Sequence, residues 1–131
     1  MKWHIDAKQP IYLQLIRQIE RAILSGEYAS GEKLPPVREL ASDASVNPNT
    51  MQRALGQLEQ VGLVHAKRTL GRFVTEDAKL IASLKEKVAR EMIEDFLRRM
   101  LEMGIAPKEA AEMIRSYAEE KGTKGKEHNH E

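Results

Sequence analysis

A mainly α-helical fold with one small β-ribbon, followed by a separate two-helix hairpin, is predicted by three features of this 131-residue sequence. Two short apolar-striped segments, residues 37–44 and 47–58, are joined by a turn short enough to force a sharp angle between helices. Two β-branched runs, Val61 to Ala66 and Phe73 to Thr75, flank a basic loop. A long stripe at spacings of three and four runs from Ile81 to Met100, stops at Gly104 and resumes after Pro107.

In chain order, Trp3 and Ile5 can add an extended N-terminal segment to a core. The first helix is predicted from near Pro10 to Leu24 or Ser25, with Ile11, Leu15, Ile16, Ile19, Ala22 and Ile23 on its apolar face and Gly26 at its end. Tyr12 on that helix is read as packing, with its hydroxyl at the rim, rather than as a recognition residue. Gly31 allows a turn in the loop that follows. Pro35-Pro36 blocks an earlier start to the second helix, whose inner face is Val37, Leu40, Ala41 and Ala44. Arg38 and Glu39 are left outward, and Val46 should plug the corner after Ala44-Ser.

The third helix carries its own start signal. Asn47 occupies an N-cap position and Pro48 the first helical position, where a missing N–H costs nothing. Met51, Leu55 and Leu58 share a buried stripe widened by Ala54 and Val61. Asn49, Thr50, Gln52, Arg53, Gly56 and Gln57 project on the opposite side, and no acidic residue occurs from Asn47 through Leu58. A carboxylate there would repel phosphate, so this ridge of amide, hydroxyl and guanidinium groups is dressed to enter a DNA groove.

After Gly62 the chain continues into two strands joined by Lys67-Arg-Thr-Leu-Gly-Arg72. Two short strands with a basic loop make a wing, which lies along a minor groove or phosphate ridge. Lys67, Arg68 and Arg72 would be attracted there, and Gly71 would permit close backbone approach. The predicted architecture is thus mainly α with a small β-wing: a winged helix-turn-helix domain over residues 1–75, followed by a two-helix C-terminal dimerisation hairpin.

Pro10-Ile-Tyr-x-Gln-Leu-Ile16, the run Gly31-Glu-Lys-Leu-Pro-Pro-Val-Arg-Glu-Leu-Ala41, Val46 to Leu55, Leu58-Glu-x-x-Gly-Leu-Val64 and Gly71-x-Phe-Val74 resemble the winged-helix domain of the GntR family of bacterial transcription regulators. The resemblance spans residues 8–75 without a gap. It implies DNA contacts by Arg38 from the second helix, by Asn49, Thr50 and Arg53 from the recognition helix, and by Arg68, Thr69 and Gly71 from the wing. Gln57 and Lys67 complete the expected DNA-binding set. The chain departs from many members at Leu70, where a second glycine or a basic residue is common.

From residue 76 the character changes. Ile81, Leu84, Val88, Met92, Phe96 and Met100 lie on one stripe, with Ala89, Ile93, Leu97 and Leu101 on an adjacent row. The helix should run from about Asp77 to Met103, a length of about 40 Å. Gly104 has the position of a helix stop, Ile105 can make the accompanying apolar contact, and Pro107 opens a second helix bearing Ala110, Ile114, Tyr117 and Ala118. This region, residues 76–121, leaves a wide apolar face open, and a second copy is the economical cover. Leu84, Val88, Met92, Phe96, Met100 and Ile114 are therefore the expected dimerisation residues, making a homodimer. The short tail, including Met103-Gly-Ile-Ala-Pro107, resembles the YtrA subfamily, which implies helix-mediated dimers that typically repress their own operon and neighbouring ABC-type transporter genes. With no large ligand domain expected, a small-molecule effector would have to sit at the hinge between wing and tail or in the dimer interface.

Composition bounds the alternatives. The formal charge is +1, with the segment through Thr75 leaning basic and the remainder acidic. Cysteine is absent, which excludes disulfides and thiolate metal sites and fits a cytoplasmic location. No apolar run approaches the roughly 20 residues of a membrane span, and no signal-peptide pattern is expected. Framed nucleophiles and glycine-rich phosphate cradles are lacking, so no catalytic residue, metal or cofactor is expected. His128 and His130 could ligate a metal with His65 or His4, but they follow a polar glycine-bearing run, so residues 122–131 are read as a disordered tail. Met92, Met100, Met103 and Met113 could line a pliable pocket, or simply fill gaps in a core. Double-stranded DNA is the expected partner. The rival reading is a winged helix used for protein contact, and a further one has Arg38 or Arg53 in surface ion pairs with Glu39 or Asp43.

Overall fold

The computed structural model describes residues 1–129, with side chains through residue 122. Its elements are α1 (Ile11–Leu24), α2 (Val37–Ala44), α3 (Pro48–Gln60), β1 (Val64–Lys67), β2 (Gly71–Val74), α4 (Ala78–Glu102) and α5 (Pro107–Asn129). The chain divides into two compact units, Met1–Lys85 and Glu86–Glu131. The first turns of α4 thus belong with the winged domain rather than with the tail.

In the first unit α1 and α2 both pack on α3, and α3 packs on β1. Leu15, Ile19, Ile23, Leu40, Met51, Leu55, Leu58, Leu63, Val64 and Val74 form one buried cluster. Each such side chain contributes about 1.5–3 kcal/mol by leaving water, so a domain of this size gains a rigid centre from three short helices. Trp3 and Ile5 pack against it as expected, and so do Ile81 and Leu84 from the start of α4.

The turn between α2 and α3 is built by backbone geometry. Ser45 adopts φ 57°, ψ 47°, the left-handed conformation that ends a helix. The Val46 N–H then donates to the Ala41 carbonyl at 2.9 Å and the Ser45 N–H to Ser42 at 3.1 Å, which turns the chain toward α3. Asn47 caps α3: its side-chain oxygen accepts from the Asn49 N–H at 2.8 Å, with Pro48 in the first turn.

β1 and β2 pair antiparallel, with Val64 opposite Val74, His65 opposite Phe73, Ala66 opposite Arg72 and Lys67 opposite Gly71. The segment before α2 adds a third edge that the sequence pattern does not announce. Lys33 bridges Phe73, the Leu34 N–H donates to Arg72 at 2.9 Å, and the Val74 N–H donates to Glu32 at 2.8 Å. The wing is therefore tied to the loop ahead of α2 as well as to α3.

In the second unit α4 has no buried residue along its length. It is capped at the start by Asp77, whose carboxylate accepts from the Lys79 and Leu80 N–H groups, each at 3.1 Å. At its end the Ile105 N–H reaches the Met100 carbonyl at 3.0 Å and the Gly104 N–H reaches Leu101 at 2.9 Å. Gly104 has φ 82°, which a residue with a Cβ adopts only under strain, so the predicted stop is where the chain places it. Ala110 of α5 is buried. The backbone of α5 is helical through Asn129. The side chains after residue 122, those of the terminal histidines included, and residues 130–131 altogether lie outside the described residues, while the backbone over the rest of the span read as a disordered tail belongs to α5.

Candidate nucleic-acid interface

The polar ridge of α3 is open to solvent. Asn49 and Arg53 are exposed, while Thr50 and Gln57 are half-buried on the flank, and the inward side is committed to Met51, Ala54, Leu55 and Leu58. At the α3 N-terminus Pro48 has no N–H, and those of Asn49, Thr50 and Met51 are taken by the side chain and carbonyl of Asn47, so only the positive end of the helix dipole favours a phosphate there. Arg38 is exposed on α2. None of the ion pairs found among the described residues joins Arg38 or Arg53 to Glu39 or Asp43, the surface pairs that the sequence allowed.

Arg53 has a different neighbour. Its guanidinium carbon lies 4.6 Å from the centroid of the Tyr12 ring, so the first residues of α1 reach the recognition helix. Tyr12 does pack against the core, as expected, but its ring also lies against a residue of the polar ridge of α3.

The wing presents Lys67, Arg68, Thr69, Leu70 and Gly71 outward. Lys67 places its ammonium 4.4 Å from the Phe73 ring centroid, which steadies a long side chain at the root of the loop. Thr69 has φ 65°, an uncommon conformation for a β-branched residue. Gly71 has φ 114°, and a Cβ there would stand 3.0 Å from Cε of Lys33. Its role is thus at least partly internal: it lets Lys33 lie across the strand. An open cleft of about 350 Å³ runs between residues 33–37 and the wing tip, residues 69–72.

Arg72 is a correction. The sequence places it with Lys67 and Arg68 as an attractor of phosphate, but its Nε donates to Glu59 of α3 at 2.5 Å, and the side chain is only 18% exposed. The pair joins β2 to the end of α3, thirteen residues apart, a relation invisible to local spacing. Lys33 is the opposite case, an exposed cation beside the wing that the motif reading passed over. Its only signal was its place in the Gly31 to Ala41 run.

Leu84 was expected on a dimer face, but it packs with Ile81 against the core of the first unit. Val88 and Met100 are half-buried, and Met92, Phe96 and Ile114 are exposed. No group of acidic, histidine or cysteine side chains among the described residues is arranged to hold a metal ion. No helix among them is long and apolar enough to cross a membrane.

The profile of the bacterial regulatory proteins, gntR family, matches residues 11–74. The HTH-type transcriptional regulator YhcF of Bacillus subtilis is 40% identical over 114 residues, covering 87% of this chain and 94% of that protein. The chain belongs to the GntR family. A GntR family transcriptional regulator from Listeria monocytogenes has the same fold, with a TM-score of 0.79 at 35% identity over 86% of this chain and 98% of that one. The HTH-type transcriptional repressor YtrA of Bacillus subtilis is 43% identical over 70 residues, 53% of this chain and 54% of the repressor. YtrA from Sulfolobus acidocaldarius matches at a TM-score of 0.50 and 28% identity, covering 92% of this chain and 97% of that one. These two likenesses support placement in the YtrA subfamily.

As a GntR regulator, the chain is a DNA-binding protein and not an enzyme. The matched segment ends with β2, so α4 and α5 lie outside the family profile. The likenesses to the Bacillus and Listeria regulators, over 87% and 86% of this chain, are too long to stop at β2 and take in α4 and at least the start of α5.

Proposed function

We propose that this GntR regulator acts in the cytoplasm as a homodimeric repressor of an inverted-repeat operator, controlling its own operon and neighbouring ABC-type transporter genes. The observation that carries the dimer is the apolar surface of the second unit: Met92 is 57% exposed, Ile114 48%, and Phe96, Leu101, Met103 and Tyr117 are exposed beside them. Helices that show so much apolar area in isolation are covered in the functional state. A second copy offers the matching surface under two-fold symmetry. Val88, Met92, Phe96, Met100 and Ile114 are the contact residues, with Leu84 retained by the winged domain.

Two recognition helices would then enter major grooves about one turn apart, roughly 34 Å. Arg53 reads a guanine and Asn49 an adenine, because those pairings allow two hydrogen bonds to one base. The Thr50 hydroxyl binds phosphate at the positive end of the α3 dipole, and Gln57 and Arg38 flank the site. Lys67, Arg68, Thr69 and Gly71 set the wing against the backbone.

Nuclease protection of DNA upstream of the gene, followed by titration of the protected duplex at several salt concentrations, tests this reading. A symmetric footprint and an affinity that falls steeply with salt are expected. Arg53→Ala should reduce the preference for the protected site over random duplex by roughly ten-fold or more, while Arg68→Ala should weaken binding to both. Absence of DNA affinity even at low salt would overturn the proposal and leave a winged helix used for protein contact.

A further inference from the structure

We infer that Tyr12 is a positioning residue for base recognition: its ring presets the guanidinium of Arg53 on the recognition helix. The inference deepens the proposed function and rests on Arg53 as a base-reading residue.

Tyr12 is the second residue of α1 and packs against the buried cluster, so its ring is held by the same core that fixes α3. Arg53 leaves α3 on the side that faces α1, and its guanidinium carbon lies over that ring at 4.6 Å from the centroid. This is well inside the roughly 6 Å at which a cation is attracted to the negative face of an aromatic ring. The contact is a cation–ring attraction that draws on the positive charge and needs no conventional hydrogen bond from the guanidinium. Its N–H donors radiate from the edge, in the plane, and the edge is what a guanine O6 and N7 pair requires.

The consequence is entropic. A long exposed side chain with no neighbour must surrender its rotamer freedom when it docks on a base. One already resting on a ring has surrendered much of it beforehand, so binding loses less. Phosphate contacts elsewhere on the surface do not share this benefit, because they do not use Arg53. Tyr12 should therefore raise the preference for the operator without changing the general attraction to DNA. The hydroxyl has no part in the argument, so phenylalanine should serve equally well.

The full chain is titrated with its protected operator and with random duplex of equal length, at several salt concentrations. Tyr12→Leu should lower the operator preference by about 2- to 5-fold, the range expected for an exposed cation–ring contact, with random-duplex affinity and salt dependence unchanged. Tyr12→Phe should keep the wild-type preference. In an Arg53→Ala background Tyr12→Leu should change nothing further. The inference is overturned if Tyr12→Leu weakens both duplexes alike, if its effect persists without Arg53, or if Tyr12→Phe behaves like Tyr12→Leu. Loss of preference in Arg53→Ala with none in Tyr12→Leu removes the inference and leaves the function standing. No loss in Arg53→Ala removes Arg53 as reader, and the inference with it. Should Tyr12→Leu fold poorly, proton NMR of the free wild-type protein still decides: the Arg53 side-chain protons must be shifted upfield by the ring, and unshifted resonances refute the contact.

Discussion

The two units of this chain use the same kind of amphipathic helix to opposite ends. In the first, α1, α2 and α3 turn their apolar stripes inward, and Leu15, Ile19, Met51 and Leu55 are all but excluded from solvent. In the second, α4 has no buried residue, and Met92, Ile93, Phe96 and Leu101 stand in the open. Spacing at three and four residues is common to both, so the stripe by itself says that a face must be covered and leaves open by what. The first unit is covered by elements of its own chain; the second leaves its apolar side chains exposed. In the proposed dimer the first unit is stable alone, while the state of the tail depends on concentration.

Truncating one large side chain in each region would sharpen that contrast most. Leu55→Ala should cost about 2–5 kcal/mol of folding stability, read as a lower denaturant midpoint that does not depend on protein concentration. A concentration-dependent loss would show that the first unit is not self-sufficient. Phe96→Ala should cost about 2 kcal/mol or more of dimer affinity, seen by sedimentation equilibrium as a dissociation constant raised thirty-fold or thereabouts. An unchanged association state would break the comparison, because the exposed face would then serve another purpose. The smallest effect is local: Asn47→Ala removes the cap of α3 and should lower stability by about 1 kcal/mol, whereas Asn47→Asp should largely preserve it. Equal losses for the two would mean that the capping bond is not what holds the helix start.

The helices were readable because their signals are local. Asn47-Pro48, Gly104 and Pro107 act through their own backbone and their immediate neighbours, and the boundaries they mark fell within a residue or two of their expected places, whereas α5 runs on to Asn129, past the expected end of the helical region at residue 121. The wing was readable as two strands and a basic loop, but not as a ribbon with a third edge, since the pairing of Lys33 with Phe73 joins segments forty residues apart. The same distance problem governs the cations. Nothing near Arg72 in the chain marks it as the partner of Glu59, and nothing near Arg53 marks Tyr12 as its support. Leu84 sits on the same stripe as Phe96, yet one meets the core of the first unit and the other meets solvent.

The sequence by itself determined where each helix starts, where all but the last stop, which side of α3 is polar, and that the tail carries more apolar surface than it can hide. These are properties of backbone conformation and of period, and they act over a turn or two of chain. Tertiary structure alone decided which basic side chains stand exposed, which one is consumed by an internal ion pair, and which aromatic ring lies against Arg53. A side chain's availability depends on what distant segments bring within a few ångströms of it, and no local pattern encodes that.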